Sequence, residues 1–275
     1  MALPEIASYW MGERLSFIEQ LCLKSFADLG HKTTLYSYEN ISNVPDGVEL
    51  RDGREVLDEA VFFEFKKLNA AAVFSDKFRL HMLAKTNAIW VDCDAYAWAP
   101  FPDNEYIFAR DVPTRLASGV LRLPKDSEAL QLYLKFVSTS YPVFPSGWPN
   151  NPNLSDATIA PTRAVGTKHV SDAPMWSWGP VALTYFLKKT GEIEHEMPGE
   201  LFYPLEGMSI NYVFKPYFQL KRKSIPENCL SVHLFGSLLR RKLRRRFPDG
   251  DLPEKSFLNF LCKKHGINPR EFPVI

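Results

Sequence analysis

The chain lacks most of the common binding motifs. Its four cysteines, Cys22, Cys93, Cys229 and Cys262, lie far apart and form no C-x-x-C pair, which argues against zinc. Their apolar neighbours suit buried free thiols in a reducing compartment. The 14 glycines make neither G-x-G-x-x-G nor a P-loop, so any phosphate is expected to be held through a metal and side chains. Net charge is only +1, so no overall charge argues for nucleic acid. No apolar run reaches the roughly 20 residues of a membrane span. The first residues lack the basic-then-apolar layout of a signal peptide. The expectation is a cytoplasmic protein, with peripheral membrane contact left open, and no internal repeat is seen.

The composition that is present suits a soluble globular protein. With 275 residues, 45% hydrophobic and 24% charged, the chain is long enough to bury a core without disulfide or metal staples. Aromatic residues, at 13%, are plentiful enough to supply stacking surfaces for bases and sugars.

Read in order, residues 4–10 suggest a first strand. Leu15, Ile18, Leu21, Cys22, Phe26 and Leu29 recur at helical spacing, and Gly30 stops that helix. Residues 33–38 are β-rich. Strand, helix and strand at this spacing form a βαβ unit, so a parallel sheet is expected. A weaker helix is expected over 54–67, strands over 106–109 and 119–123, and a helix from Lys125-Asp126 to Val137. Residues 141–178 are rich in Pro, Asn, Ser, Gly and Thr with little periodicity, as in a lid or binding loop. Gly179-Pro180 is expected to begin a helix whose first N–H groups face an anion or a sugar hydroxyl, or simply to start a helix that packs Trp178. Late strands are expected over 201–205 and 230–235.

The organising stretch is 74–101. Ser75 is expected to cap a helix, with Asp76 in its first turn. Asp76 and Arg79, three apart, share one helical face. Ala88, Ile89, Trp90 and Val91 form a short apolar run that suits a buried strand, and it ends in Asp92-Cys93-Asp94. On an extended chain Asp92 and Asp94 project together and Cys93 points away. Two carboxylates side by side need a nearby cation. Their oxygens suit Mg²⁺ or Mn²⁺, which would in turn hold a diphosphate.

Ser75-Asp76-Lys77-Phe78-Arg79, then an apolar helix and Ala88-Ile89-Trp90-Val91-Asp92-Cys93-Asp94, resemble the S-D-x-x-R and D-x-D elements of glycosyltransferases of the A fold. The family 32-like enzymes are most similar, a group related to α-1,4-glycosyltransferases and to capsular polysaccharide synthesis. Tyr9-Trp10-Met11-Gly12 resembles the first-strand W-x-G of that family. Ser177-Trp178-Gly179-Pro180 resembles its T-G-P segment, and Val232-His233-Leu234 its late strand ending in His. The family's Gly-Gly before the D-x-D strand is Thr86-Asn87 here, and Asn can take the left-handed conformation.

The resemblance implies an α/β, glycosyltransferase-A-like nucleotide-sugar-binding fold with a mostly parallel central sheet. It implies a catalytic domain over 1–237, with 141–178 as an inserted loop, and a helical tail over 238–275. Asp94 would bind Mn²⁺ or Mg²⁺ directly. Asp92 would reach the metal through water or hold the donor ribose, and His233 would be a further ligand or an ordinary hydrogen-bonded histidine. Asp76 and Arg79 would hold donor hydroxyls. Trp10 and Trp90 would lie beside the uracil or pack in the core. The implied reaction moves a sugar from a UDP-sugar, with retention, to a hydroxyl of a glycan or lipid-linked acceptor. Two other readings stay open. One is a haloacid-dehalogenase-type phosphatase, although Tyr96 stands where that family wants Thr or Val. The other is a non-catalytic membrane- or polysaccharide-binding protein.

The tail is locally basic. On a helix Leu239, Leu243 and Phe247 form one apolar stripe flanked by Arg240, Arg241, Arg244 and Arg245. Such a helix suits an anionic membrane surface, or docks with its basic face in solvent. Nucleic acid is not expected, because no aromatic side chains alternate with the arginines.

Overall fold

The computed structural model describes residues 2–143, 169–172, 177–205, 207–217 and 225–274. Its strands are β1 (Ile6–Tyr9), β2 (Thr33–Ser37), β3 (Val48–Asp52), β4 (Ile89–Val91), β5 (Ala95–Ala97), β6 (Arg110–Val112), β7 (Arg115–Leu116), β8 (Val120–Leu121) and β9 (Ser231–His233). Its α-helices are α1 (Phe17–Asp28), α2 (Glu59–Lys67), α3 (Ala71–Lys85), α4 (Glu128–Val137), α5 (Ala182–Thr190), α6 (Gly236–Arg246) and α7 (Phe257–Lys264). The protein is mixed α/β. Five strands form a mostly parallel sheet in the order β3-β2-β1-β4-β8. β1 and β2 pair in parallel with Ile6 opposite Thr33, and β2 and β3 are parallel as well. The expected βαβ unit is therefore present.

Helix α1 starts where local chemistry puts it. The Ser16 side chain accepts from the Ile18 N–H, and Glu19 accepts from the Ser16 N–H at 2.7 Å. This is a reciprocal capping box, which satisfies donors that the first turn leaves open. The helix ends at Leu29, and Gly30 follows at φ +94°, a conformation that glycine adopts without a side-chain clash.

The chain divides into two compact units. One comprises Met1–Asp52, Val91–Asp103 and Pro198–Ile275; the other comprises Gly53–Trp90 and Asn104–Met197. The first unit has a core of Phe17, Ile18, Leu21 and Cys22 from α1, Val232 from β9, Leu239 and Leu243 from α6, and Phe257, Leu258, Leu261 and Cys262 from α7. All four cysteines are buried and free. Burial pushes the Cys229 and Cys262 thiols up to about 12, as expected of inert packing thiols. The second unit packs Phe62 and Phe65 of α2 against Phe74 of α3, with ring centroids 5.9 and 5.8 Å apart. No described helix is long and apolar enough to cross a membrane.

Several expectations need correction. Ser75 does not cap a helix. α3 begins at Ala71, with Ala70 at the cap position and no side-chain cap, because Ala70, Ala71 and Ala72 are strong helix formers that extend it backwards. Asp76 therefore sits in the second turn, beyond the reach of the helix dipole. Asn87 does not supply a left-handed turn: the described non-glycine residues at positive φ are Asn69 and Phe235. Thr86 makes the turn instead, donating to the Met82 carbonyl at 3.0 Å and accepting from the Ala88 N–H at 3.2 Å.

Residues 201–205 form no strand; Gly199–Leu201 is a 3₁₀ turn. In 106–109 only isolated bridges form, Ile107 to Arg122 and Ala109 to Met197. α4 starts at Glu128 with Ser127 as its cap. Of the expected loop 141–178, residues 144–168 and 173–176 lie outside the described residues.

Candidate functional site

Directly after β4, in the first unit, Asp92-Cys93-Asp94 forms a tight turn, not a continued strand. The Ala95 N–H returns to the Asp92 carbonyl at 2.9 Å. Cys93 points inward, 3.2 Å from the Ser8 hydroxyl and donating to the Tyr9 carbonyl at 3.5 Å. With Cys93 anchored there, the flanking carboxylates turn away from the core. β5 then pairs antiparallel with β9, with Ala95 opposite His233, and the Leu234 N–H donates to the Asp94 carbonyl at 2.8 Å. That pairing sets the imidazole beside the carboxylates: one ligand atom each from Asp92, Asp94 and His233 lie within 4.8 Å of one another. The Asp94 and His233 side chains are 15% and 12% exposed, so the cluster is accessible to a ligand.

Asp94 is well compensated. Its Oδ2 accepts from the Gly236 N–H at 2.5 Å, in the first turn of α6, and its Oδ1 lies 3.2 Å from His233 Nε2. Burial alone would raise its pKa. The neighbouring His233, the Arg240 guanidinium and the Gly236 N–H outweigh that and hold the carboxyl well below the usual carboxylate range. The approach demands glycine at 236, where a Cβ would lie 2.8 Å from Asp94 Oδ2 and 3.0 Å from Arg240 Nη2.

Arg240 is itself fixed. Its Nε and Nη2 both donate to Glu19 Oε1, at 3.0 and 2.7 Å, and its guanidinium lies 5.5 Å over the Trp10 ring. Glu19 is buried, with the side chain 1% exposed. One carboxylate thus both caps α1 and holds the cation next to Asp94. Arg240 does not stand on the solvated basic face of the tail helix where its sequence neighbours suggest it.

The donor set fits a hard divalent cation through the two carboxylates. His233 fits conditionally. Its Nδ1 accepts from the Phe235 N–H at 3.2 Å, so the ring proton sits on Nε2. For Nε2 to ligate, the proton must move to Nδ1 and that long hydrogen bond must open.

The second unit gathers the other expected residues. Asp76 and Arg79 of α3 pair at 3.1 Å. The Arg79 guanidinium lies 4.9 Å over the Trp90 ring, and Trp90 is 1% exposed. Lys77 is buried beside Trp178, its Nζ 5.6 Å over the ring, and burial lowers its pKa. Residues Ser177–Val181 form a π-helical turn broken at Gly179, with φ −96° and ψ −113°. It runs into α5 without a free helix start at Gly179-Pro180. The Tyr133 hydroxyl, whose pKa burial drives up, donates to the Trp178 carbonyl and, at 3.0 Å, to that of Gly179. A Cβ at Gly179 would lie 2.6 and 2.7 Å from the two Asp76 carboxylate oxygens, so Gly179 lets the backbone close onto Asp76.

That contact gives a prediction. Gly179→Ala should push the Asp76 carboxylate aside, and overpacking at this contact should cost about 1–3 kcal/mol, measured as a melting temperature lower by a few degrees. An unchanged melting temperature would show that the backbone at 179 gives way without cost.

Sequence reasoning did not single out Glu19, Gly236, Tyr133 or Lys77. The spacing Ser16-x-x-Glu19 is a readable capping signature, and it was the one available clue to Glu19. Nothing local marks the others.

No protein-family model matches the chain, and no curated protein matches it. Among solved structures it is similar to "PaToxG Glycosyltransferase", at 14% identity and a TM-score of 0.46, over 98% of this chain and 84% of that one.

Proposed function

We propose that this chain is a metal-dependent glycosyltransferase of the glycosyltransferase-A type. In this reading it transfers a sugar, with retention, from a UDP-sugar to a hydroxyl of a glycan or lipid-linked acceptor. The observation that carries the reading is the convergence of Asp92, Asp94 and His233 within 4.8 Å at the end of an apolar strand. The second unit separately holds the S-D-x-x-R helix, with a glycine pressed against Asp76.

Asp92 and Asp94 would hold Mn²⁺ or Mg²⁺, with His233 joining after its proton shift. A bound divalent ion supplies positive charge where a leaving diphosphate becomes more negative. The chain's own groups do the rest. The Gly236 N–H and Arg240 keep Asp94 ionised and aimed. Trp10, partly exposed and with Arg240 over one face, offers the stacking surface for uracil. Asp76 and Arg79 hold donor hydroxyls. Trp90 and Trp178, both buried, hold Arg79 and Lys77 in place. The described residues offer no evident nucleophile or general base, and the leaving phosphate is the group left to take the acceptor proton.

The test is release of UDP from a panel of UDP-sugars with Mn²⁺ or Mg²⁺, with a phosphatase substrate in parallel. Metal-dependent UDP release from at least one sugar is expected. Phosphate release from the phosphatase substrate, with no UDP release from any donor, would replace this reading with the phosphatase one.

A further inference from the structure

The tail helix invites a membrane reading based on its apolar stripe, but the fold uses that stripe internally. Leu239 and Leu243 are 0% and 1% exposed in the core of the first unit, and Phe247 packs against the same cluster. They are not available to enter a bilayer. The opposite face of α6 is a different matter. Arg241, Arg244 and Arg245 are exposed, and they stand at i, i+3 and i+4, so they form one patch directly across the helix from the buried leucines. Lys242 lies at its edge.

Among the described residues, no carboxylate pairs with Arg241, Lys242, Arg244 or Arg245. The nearest acidic groups in sequence lie past the helix, and one of them, Asp251, is taken by Arg270. The negative end of the helix dipole offsets part of the charge in the last turn. It does not reach Arg241, whose like-charge neighbours at i+3 and i+4 are repulsive. The fold thus tolerates a concentrated positive face in a chain whose net charge is +1.

We propose that the outer face of α6, centred on Arg241, Arg244 and Arg245, docks the protein onto an anionic lipid bilayer. The contact is electrostatic and peripheral, without insertion of α6, and it does not depend on the glycosyltransferase reading. Bilayer headgroups provide the missing counter-charge along the whole exposed face. RNA is disfavoured, because no aromatic side chains alternate with these arginines for base stacking.

Sedimentation with vesicles tests this. Binding is expected to vesicles of phosphatidylcholine mixed with phosphatidylglycerol, to be absent with phosphatidylcholine alone, and to fall steeply as salt rises. Each cation near such a surface is worth about fivefold in partitioning. The triple change Arg241→Gln, Arg244→Gln, Arg245→Gln should therefore weaken binding on the order of 100-fold. The change Lys67→Gln, Lys135→Gln, Lys188→Gln removes the same charge elsewhere and should leave binding near wild type. The salt titration of the wild-type protein does not depend on any variant folding. Three results would overturn the proposal: equal binding to neutral vesicles, no binding at low salt, or capture of duplex RNA without vesicle binding.

Discussion

Replacing Asp94 by Asn is expected to abolish metal-dependent binding of a UDP-sugar and to lower turnover about 10³-fold or more. If Asp94 holds the metal as proposed, losing its charge removes several kcal/mol of electrostatic stabilisation, which corresponds to that factor. The amide has nearly the shape of the carboxylate, so the fold should persist. It should not be untouched, however. Asp94 presents two accepting oxygens, one to the Gly236 N–H and one to His233. An Asn would offer only one acceptor and would turn its NH₂ toward a donor. That mismatch should cost about 1–3 kcal/mol, measured as a lower denaturation midpoint. A variant with near-normal UDP release would show that Asp94 is a structural carboxylate that ties α6 to the D-x-D turn.

The second large effect is on stability and concerns Glu19. Glu19→Gln keeps an amide oxygen able to close the capping box with Ser16 but removes the charge that faces Arg240. Breaking a buried pair by deleting one partner costs about 3–5 kcal/mol. The Arg240 side chain is 24% exposed, so the lower end, about 3 kcal/mol, is expected from chemical denaturation. UDP affinity should fall as well, because the cation over Trp10 and beside Asp94 loses its anchor. Glu19→Leu with Arg240→Leu removes both charges and should be more stable than either single variant, giving a coupling of at least ~1 kcal/mol. Additive losses would mean that the pair is not coupled and that Arg240 is held by its stacking on Trp10 alone.

The division between what could be read from the sequence and what could not follows from range. The β1–α1–β2 unit was legible because its apolar period and its closing glycine lie within neighbouring residues. The same holds for β4 and for the leucine stripe of α6. The start of α3 was misread because Ser75 looks like a cap, while the alanines before it carry the helix on by propensity, which leaves no punctuation. The D-x-D pair was found for an incomplete reason. The two carboxylates do come together, but through a turn pinned by Cys93 on Ser8 and Tyr9, not through strand alternation.

The neighbours that complete the cluster were out of reach. Glu19 meets Arg240 across 221 positions, and Gly236 meets Asp94 across 142. The hydrogen-bond chain from Tyr96 through His265 to Asp28, at 2.8 and 2.6 Å, spans 169 and 237 positions. Pairings of that kind carry no period and no local turn chemistry. The sequence could supply the residues for them but not their partners.

The most direct test of the central claim is calorimetric titration of UDP into the wild-type protein, with Mn²⁺ and then with excess chelator. Saturable one-site binding is expected that requires the metal, disappears with chelator and is absent in Asp94→Asn at equal metal concentration. UDP binding that survives the chelator unchanged, or no binding with either Mn²⁺ or Mg²⁺, would contradict it.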